Sequence, residues 1–289
     1  MARIAVALLG ALVGLTLAAE ARALDAPPGS RLERIVSTKT VRIAYRADAT
    51  PFSFLNERKE PTGYTIDLCR LVVKALAQDI GVDALQTQWV PVTSQTRFEA
   101  VAKGQADMEC GASTVTLSRQ KQVDFSAYVF VETTAIAVKS ASSIRSVADL
   151  AGKSLAVIEG TSNQRALETA VKEGRVSATL VGIKTREEGV TALESGKVDA
   201  FASDRLLLAA APFKDPKAHT MLPEDLSFEP YAIVLPRGDW ALKLSVDAAL
   251  ARIYRSGQVI QVFEQWFGLL GLRPGVLLKA MFVLGAVPE

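Results

Sequence analysis

The residues best suited to chemistry lie between positions 107 and 126, in DMECGASTVTLSRQKQVDFS, where five hydroxyls, a cysteine, a glycine and an arginine crowd around few aliphatic side chains. A core strand would not use this composition, and a solvated loop has no need of so many short donors. The stretch can hold something small and polar. Arg46, Ser94, Arg97, Ser113, Thr114, Arg119, Thr161 and Asp204 each follow a predicted strand. In open α/β sheets ligands gather at such carboxyl ends, where loops and helix starts present free N–H groups. Arginines converging there suit a carboxylated ligand, because a guanidinium pairs bidentately with carboxylate.

Taken singly, each residue has a plainer reading. Arg119 in SRQKQ suits a solvated helix, and Arg46 and Arg97 are ordinary surface cations by type. Asp204 beside Arg205 can form an exposed pair contributing about 0–1 kcal/mol. The EGTS turn can be a helix cap and nothing more. Only their joint occurrence points to a site. Other chemistries lack their parts. His219 is the sole histidine and sits in a polar loop, so a Ser–His–Asp arrangement has no base. No metal-ligand spacing, G-x-x-x-x-G-K or G-x-G-x-x-G motif is present, and no cofactor is expected.

The elements that must position these side chains alternate. TVRIAY (40–45) is β-rich, IDLCRLVVKALAQDI (66–80) carries apolar residues at helical spacing, and LQTQWVPV (85–92) is strand-like. TRFEAVAKG (96–104) predicts a short helix stopped by Gly104, followed by the strand ADMEC. EAVAKGQADMEC and TALESGKVDAFA share one plan, helix end, glycine, two residues, aspartate, strand. That similarity fits either two lobes or one common joint used twice. Two uninterrupted extended runs, 128–140 and 228–238, are suited to cross between lobes near 131–134 and 230–233. WALKLSVDAALARIYRSGQVIQVFEQWFG (240–268) predicts two helices broken at Ser256-Gly257. Alternation of this kind implies an α/β fold with mostly parallel sheets.

The chain is 289 residues long, with 33 basic and 31 acidic residues, so no strong field draws in nucleic acid or a membrane surface. Arg3, the apolar run from Ile4 to Ala19 and the Ala21-Arg22-Ala23 site describe a signal peptide, residues 1–23, and hence an exported protein. Export favours one structural disulfide between Cys69 and Cys110, the alternative being two separate buried thiols.

The segments TPFSF…GYTIDLC, VPVTSQTR, GQADMECGASTVTLSRQKQVDFS, SVADLAGKSLAVIEGTS and LESGKVDAFASD, in this order, resemble the periplasmic amino-acid-binding proteins of ABC importers, nearest to the glutamate/aspartate-binding branch. The resemblance covers most of residues 38 to 268. It implies a bilobal type II periplasmic-binding-protein fold: two lobes with mostly parallel sheets, joined by a two-strand hinge. Residues 24–131 plus 233–289 would form lobe 1 and 132–232 lobe 2. It implies a monomer whose partners are a small amino-acid ligand and a transporter permease, located in the periplasm, with no enzymatic role.

By the same resemblance Arg119 and Thr114 take the ligand's α-carboxylate. Arg46, Ser94 and Arg97 take its side-chain carboxylate, Asp204 its ammonium, and Thr161 adds a second-lobe contact. The Cys69–Cys110 pair also resembles a disulfide of this branch. Two positions depart from the pattern: Ala112 replaces a hydroxyl beside Ser113, and Arg186 stands where the branch has a histidine. Two alternatives accompany this reading. A cyclohexadienyl-dehydratase-like enzyme would use Glu109, Glu159 or Glu187 as acid, and a sensory module would bind without importing. The tail GLRPGVLLKAMFVLGAVPE predicts a packing helix.

Overall fold

The computed structural model describes residues 26–288; the expected signal peptide falls outside them. Helix α1 (Arg31–Thr38) is opened by Ser30, whose hydroxyl accepts from the Glu33 N–H, and closed by Lys39 in the left-handed region. Strand β1 (Thr40–Arg46) leads into a small sheet of β2 (Asp48–Ala49), β3 (Ser53–Leu55) and β4 (Pro61–Thr62). Helix α2 (Tyr64–Asp79) starts at Gly63, where φ is 132° and an added Cβ would lie 2.3 Å from the Phe52 carbonyl oxygen. Only glycine fits that approach. Next come β5 (Gln86–Val92), α3 (Arg97–Ala102), β6 (Met108–Glu109) and β7 (Val123–Lys139). The second alternating run holds β8 (Lys153–Ile158), α4 (Ser162–Lys172), β9 (Ala178–Ile183), α5 (Arg186–Ser195), β10 (Ala200–Asp204) and α6 (Arg205–Ala209). β11 (His219–Met221), β12 (Phe228–Pro236), α7 (Trp240–Arg255), α8 (Gln258–Phe267) and α9 (Val276–Gly285) complete the chain.

Nine strands join in the order β5-β1-β6-β12-β7-β10-β8-β9, with β11 also on β7. On one side β1 runs parallel to β5 and β6; on the other β8 runs parallel to β9 and β10. The 17-residue β7 belongs to both sides. Its first part pairs antiparallel with β12 through Thr133, and its last part, from Thr134, pairs with β10. The two long extended runs are therefore antiparallel neighbours, and the sheets meet only through them.

Packing divides at the same place. One buried aromatic cluster gathers Phe52, Tyr64, Phe130, Tyr231, Phe263 and Phe267, with Phe52 and Phe130 centroids 4.9 Å apart. Separate cores made of residues 135–222 cover the two faces of β8 and β10. The recurring joint is also used alike on both sides. Gly104 and Gly196 both have positive φ, Asp107 accepts from the Arg42 N–H at 2.7 Å, and Asp199 from the Ser154 N–H at 2.8 Å. Each aspartate thus ties its joint to the start of the neighbouring parallel strand.

Three expectations shift at their edges. The strand expected over 106–110 keeps only Met108–Glu109, because the chain then turns at Gly111 and meets β12 again only at the Thr114–Tyr231 bridge. The first long run begins at Val123, five residues before the apolar stretch, since its start pairs with the end of β12. The tail helix α9 packs Leu278 and Phe282 inward, with Phe282 5.2 Å from the Tyr254 ring, and exposes Val276, Val283 and Leu284.

Candidate functional site

The parallel strands of both sheets point their carboxyl ends at one small, nearly closed cavity. Arg46 ends β1, Ser94 and Arg97 follow β5, and Ala112 and Thr114 follow β6. From the other sheet come Ile158, Thr161, Ser162 and Asn163 after β8, Arg186 after β9, and Ser203, Asp204 and Leu207 around the end of β10. Of the nine residues expected from sequence, seven line this cavity. Ser113 and Arg119 are not among its lining residues, although both adjoin Thr114, which is. Ser113 is fully buried, and Arg119 donates to the Thr114 carbonyl at 2.7 Å.

The arginines are held by contacts within the protein. Arg46 forks onto Asp48, with Nε 2.8 Å and Nη2 2.9 Å from its two oxygens. Arg97 donates to the Ser94 carbonyl, and its guanidinium lies 4.4 Å from the Phe98 ring centroid, with that of Arg119 at 4.7 Å from the same ring. Such contacts with the negative ring face offset part of the cost of burying cations. Burial, followed by the Arg119 and Arg46 charges, lowers the Arg97 pKa to about 9, and burial lowers that of Arg119 to about 10. Both remain cationic at neutral pH.

Asp204 faces them as a buried acid, 6% exposed. Burial, then the nearby Glu229, raises its pKa to about 6, while the Asn163 side-chain amide donates to it at 3.2 Å. It does not pair with Arg205, which bridges to Asp225 instead. The exposed-pair reading of Asp204 is thereby excluded. Asn163 also donates to the Thr134 hydroxyl at 2.7 Å, fixing β7 and β10 to the start of α4. Thr161 caps that helix: its hydroxyl accepts from the Gln164 N–H at 3.2 Å and donates to the Ile158 carbonyl at 2.6 Å. The EGTS turn is a cap and a cavity wall at once.

The two sheet halves touch across the cavity. Ser162 donates to the Thr114 hydroxyl at 3.0 Å, and the Gln95 amide reaches the Glu159 and Lys184 carbonyls at 3.2 Å each. Arg186 contacts the Asp48 carbonyl, and Arg165 the Ser118 hydroxyl. Room for the centre of a water-sized molecule is only about 20 Å³, enough for one or two waters. An amino acid enters this space only if the halves part.

Sequence reasoning passed over Asn163, Ser162, Asp48 as the anchor of Arg46 and Arg186, and the buried acids Glu132 and Glu229. The last two are directly opposed on β7 and β12, and burial, followed by Asp204, raises the Glu132 pKa to about 8. A charge inside each long apolar run was the available signal. Of the three acids considered for dehydratase chemistry, Glu159 and Glu187 are exposed and Glu109 is buried. Cys69 and Cys110 form a disulfide from α2 to the end of β6, as expected. No cluster of residues suited to hold a metal occurs among the described residues.

Residues 41–269 match the model for bacterial extracellular solute-binding proteins, family 3. The chain is 34% identical to an L-glutamate/L-aspartate-binding protein of Pseudomonas aeruginosa, covering 92% of this chain and 88% of that protein. It is 31% identical to a glutamate/aspartate import solute-binding protein of Escherichia coli, covering 89% and 87%. Among solved structures, an ancestral arginine-binding protein bound to glutamine superposes with a TM-score of 0.70 at 29% identity, covering 80% of this chain and 98% of the other. An ancestral amino acid-binding protein described as a precursor of cyclohexadienyl dehydratase gives 0.71 at 28% identity, covering 82% and 100%.

Proposed function

Because this chain belongs to the bacterial extracellular solute-binding proteins of family 3, we propose that its cleft captures a dicarboxylic amino acid, glutamate or aspartate, for an ABC importer. The α/β chain has the bilobal type II periplasmic-binding-protein fold. The protein is exported to the periplasm, binds its ligand as a monomer and hands it to a transporter permease without breaking a bond in it. Its lobes are residues 24–131 with 233–289, and 132–232, hinged at β7 and β12.

The observation that carries this reading is the composition of the cavity: Arg46, Arg97 and Arg186 stand opposite one buried acid, Asp204, between two separately cored sheets. In our assignment Arg119 and Thr114 hold the α-carboxylate, and Arg46, Ser94 and Arg97, joined by Arg186, hold the side-chain carboxylate. Ser113 backs the Thr114 loop, Asp204 accepts from the ammonium, and Thr161 closes over it. The ligand docks on the first lobe and closure brings the second onto it, so binding and hinge movement are one linked equilibrium. Charge-assisted hydrogen bonds of about 1.5–3 kcal/mol each suffice, after ordering costs, for micromolar affinity near −8 kcal/mol.

A thermal-shift screen of the twenty amino acids and common dicarboxylates tests the assignment. Glutamate and aspartate are expected to give the largest stabilisation. A leading response from arginine, histidine or an uncharged amino acid would refute it.

A further inference from the structure

If the arginine end of the cleft receives a side-chain carboxylate, as proposed above, one buried charge beside it has no assigned task. Glu109, the last residue of β6, has no solvent exposure, and the hydrogen-bonding group that adjoins its carboxylate is the equally buried Ser113 hydroxyl. Its side chain lies in the space that a side chain at Gly111 would fill. A Cβ added there would sit 2.1 Å from Glu109 Oε1 and 3.1 Å from Arg46 Cγ. The glycine of the ECGAST segment therefore makes room for a carboxyl group tucked beside the stem of Arg46.

Every charged group around it belongs to the candidate site. Arg97 at the start of α3 and Arg46 from β1 act on it, and so does Arg119 from beyond β6. The fully buried Ser113 hydroxyl adjoins it and, as a hydrogen-bond donor, favours the ionised form. Asp48 and Arg186 stand beyond Arg46, and Asp204 lies across the cavity. A buried carboxylate with so little hydrogen bonding is costly, and nearby cations make it tolerable. Burial raises the Glu109 pKa, and these arginines oppose that rise, Arg97 most of all.

We propose that Glu109 is a specificity-determining counter-charge, cancelling one guanidinium at the side-chain end of the cleft so that this end accepts one negative charge and not two. Arg46, Arg97 and Arg186 then stand against Asp48 and Glu109, and a single carboxylate completes the balance. A glutamate side chain brings that one charge, glutamine brings none, and a phosphonate brings up to two.

The test is calorimetric titration of wild type and Glu109→Gln with L-glutamate, L-glutamine and L-2-amino-4-phosphonobutyrate. Removing the charge is expected to raise the glutamate-to-glutamine affinity ratio about tenfold, and to shift the phosphonate-to-glutamate ratio toward the phosphonate by a similar factor. Glu109→Asp, which keeps the charge, retains the wild-type ratios. In wild type, protonating Glu109, whose pKa burial raises, reproduces the effect, so the glutamate-to-glutamine ratio rises as the pH falls, and it rises less in Glu109→Gln. Asp204, whose charge also acts on Arg97 and Arg186, titrates near 6 in both proteins, so the difference between the two profiles isolates Glu109. Should Glu109→Gln not fold, the pH profile of the ratio in Asp204→Asn, which removes the other titrating acid of the cleft, reads the same charge. Ratios unmoved by substitution and pH, in a protein that binds glutamate, would overturn the role of Glu109 alone. A wild type that binds no dicarboxylic amino acid would overturn the functional reading itself.

Discussion

Replacing Asp204 with asparagine separates binding from stability, because the two are expected to move in opposite directions. Asp204 is buried, shares its neighbourhood with Glu229, and titrates near 6 instead of the ordinary 3.8. The folded protein therefore holds this proton up to about pH 6, while the unfolded chain loses it near 3.8. Stability contributed by the proton is lost as the pH rises through that window. At 1.36 kcal/mol per pH unit the difference amounts to about 3 kcal/mol at most. Asp204→Asn, which keeps an acceptor for Asn163, should accordingly raise the thermal midpoint of the unliganded protein at pH 7.5, and the gain should shrink to nothing toward pH 4. Binding should do the reverse. Losing a charge-assisted hydrogen bond to the ligand's ammonium costs about 1.5–3 kcal/mol, or roughly 10- to 150-fold in affinity. Succinate, which has no ammonium, should not weaken. In wild type, glutamate affinity should fall about tenfold per pH unit below 6. Calorimetry with both ligands, beside thermal melts from pH 4 to 8, reads all of this. Equal losses for succinate and glutamate, or a variant less stable at pH 7.5, would refute the reasoning.

Arg97→Ala should weaken glutamate and aspartate at least tenfold more than glutamine in the same titrations, since Arg97 is buried at the end assigned to the side-chain carboxylate. Equal losses would contradict that placement. Gln95→Ala removes two contacts across the cleft, each worth about 0.5–1.5 kcal/mol, and stopped-flow measurements should find ligand release several-fold faster with association unchanged. Opening the Cys69–Cys110 disulfide by Cys69→Ser with Cys110→Ser frees a loop closed over 41 residues and should cost about 3–4 kcal/mol in urea unfolding.

Much of this architecture was legible in the chain because local signals agreed with one another. The helical spacing in 66–80, the glycine stop at 104, and the paired joints before Met108 and Ala200 all correspond to elements of the structure. The extended runs were recognisable, but their direct pairing was not, because register between strands almost a hundred residues apart leaves no local trace. Candidate site residues could be collected from strand ends without coordinates, since topology decides where those ends point. Ser113 and Arg119 fall outside the cavity lining, and no local signal in the loop after β6 foretold that. Burial was harder to foresee. The placement of Glu109, Glu132 and Glu229 in the interior depends on tertiary packing, and a charge in a sequence gives no sign of which face it will take. Arg186 entered by resemblance alone, and its tie to Asp48 joins segments 138 residues apart.

The most direct measurement is calorimetric titration of the chain without residues 1–23 with L-glutamate at neutral pH, with glutamine and succinate as references. One site per chain, micromolar or tighter for glutamate and at least tenfold weaker for both references, is the predicted result. No measurable heat with glutamate or aspartate, or succinate binding as tightly as glutamate, would contradict the claim that these arginines and Asp204 close on a dicarboxylic zwitterion.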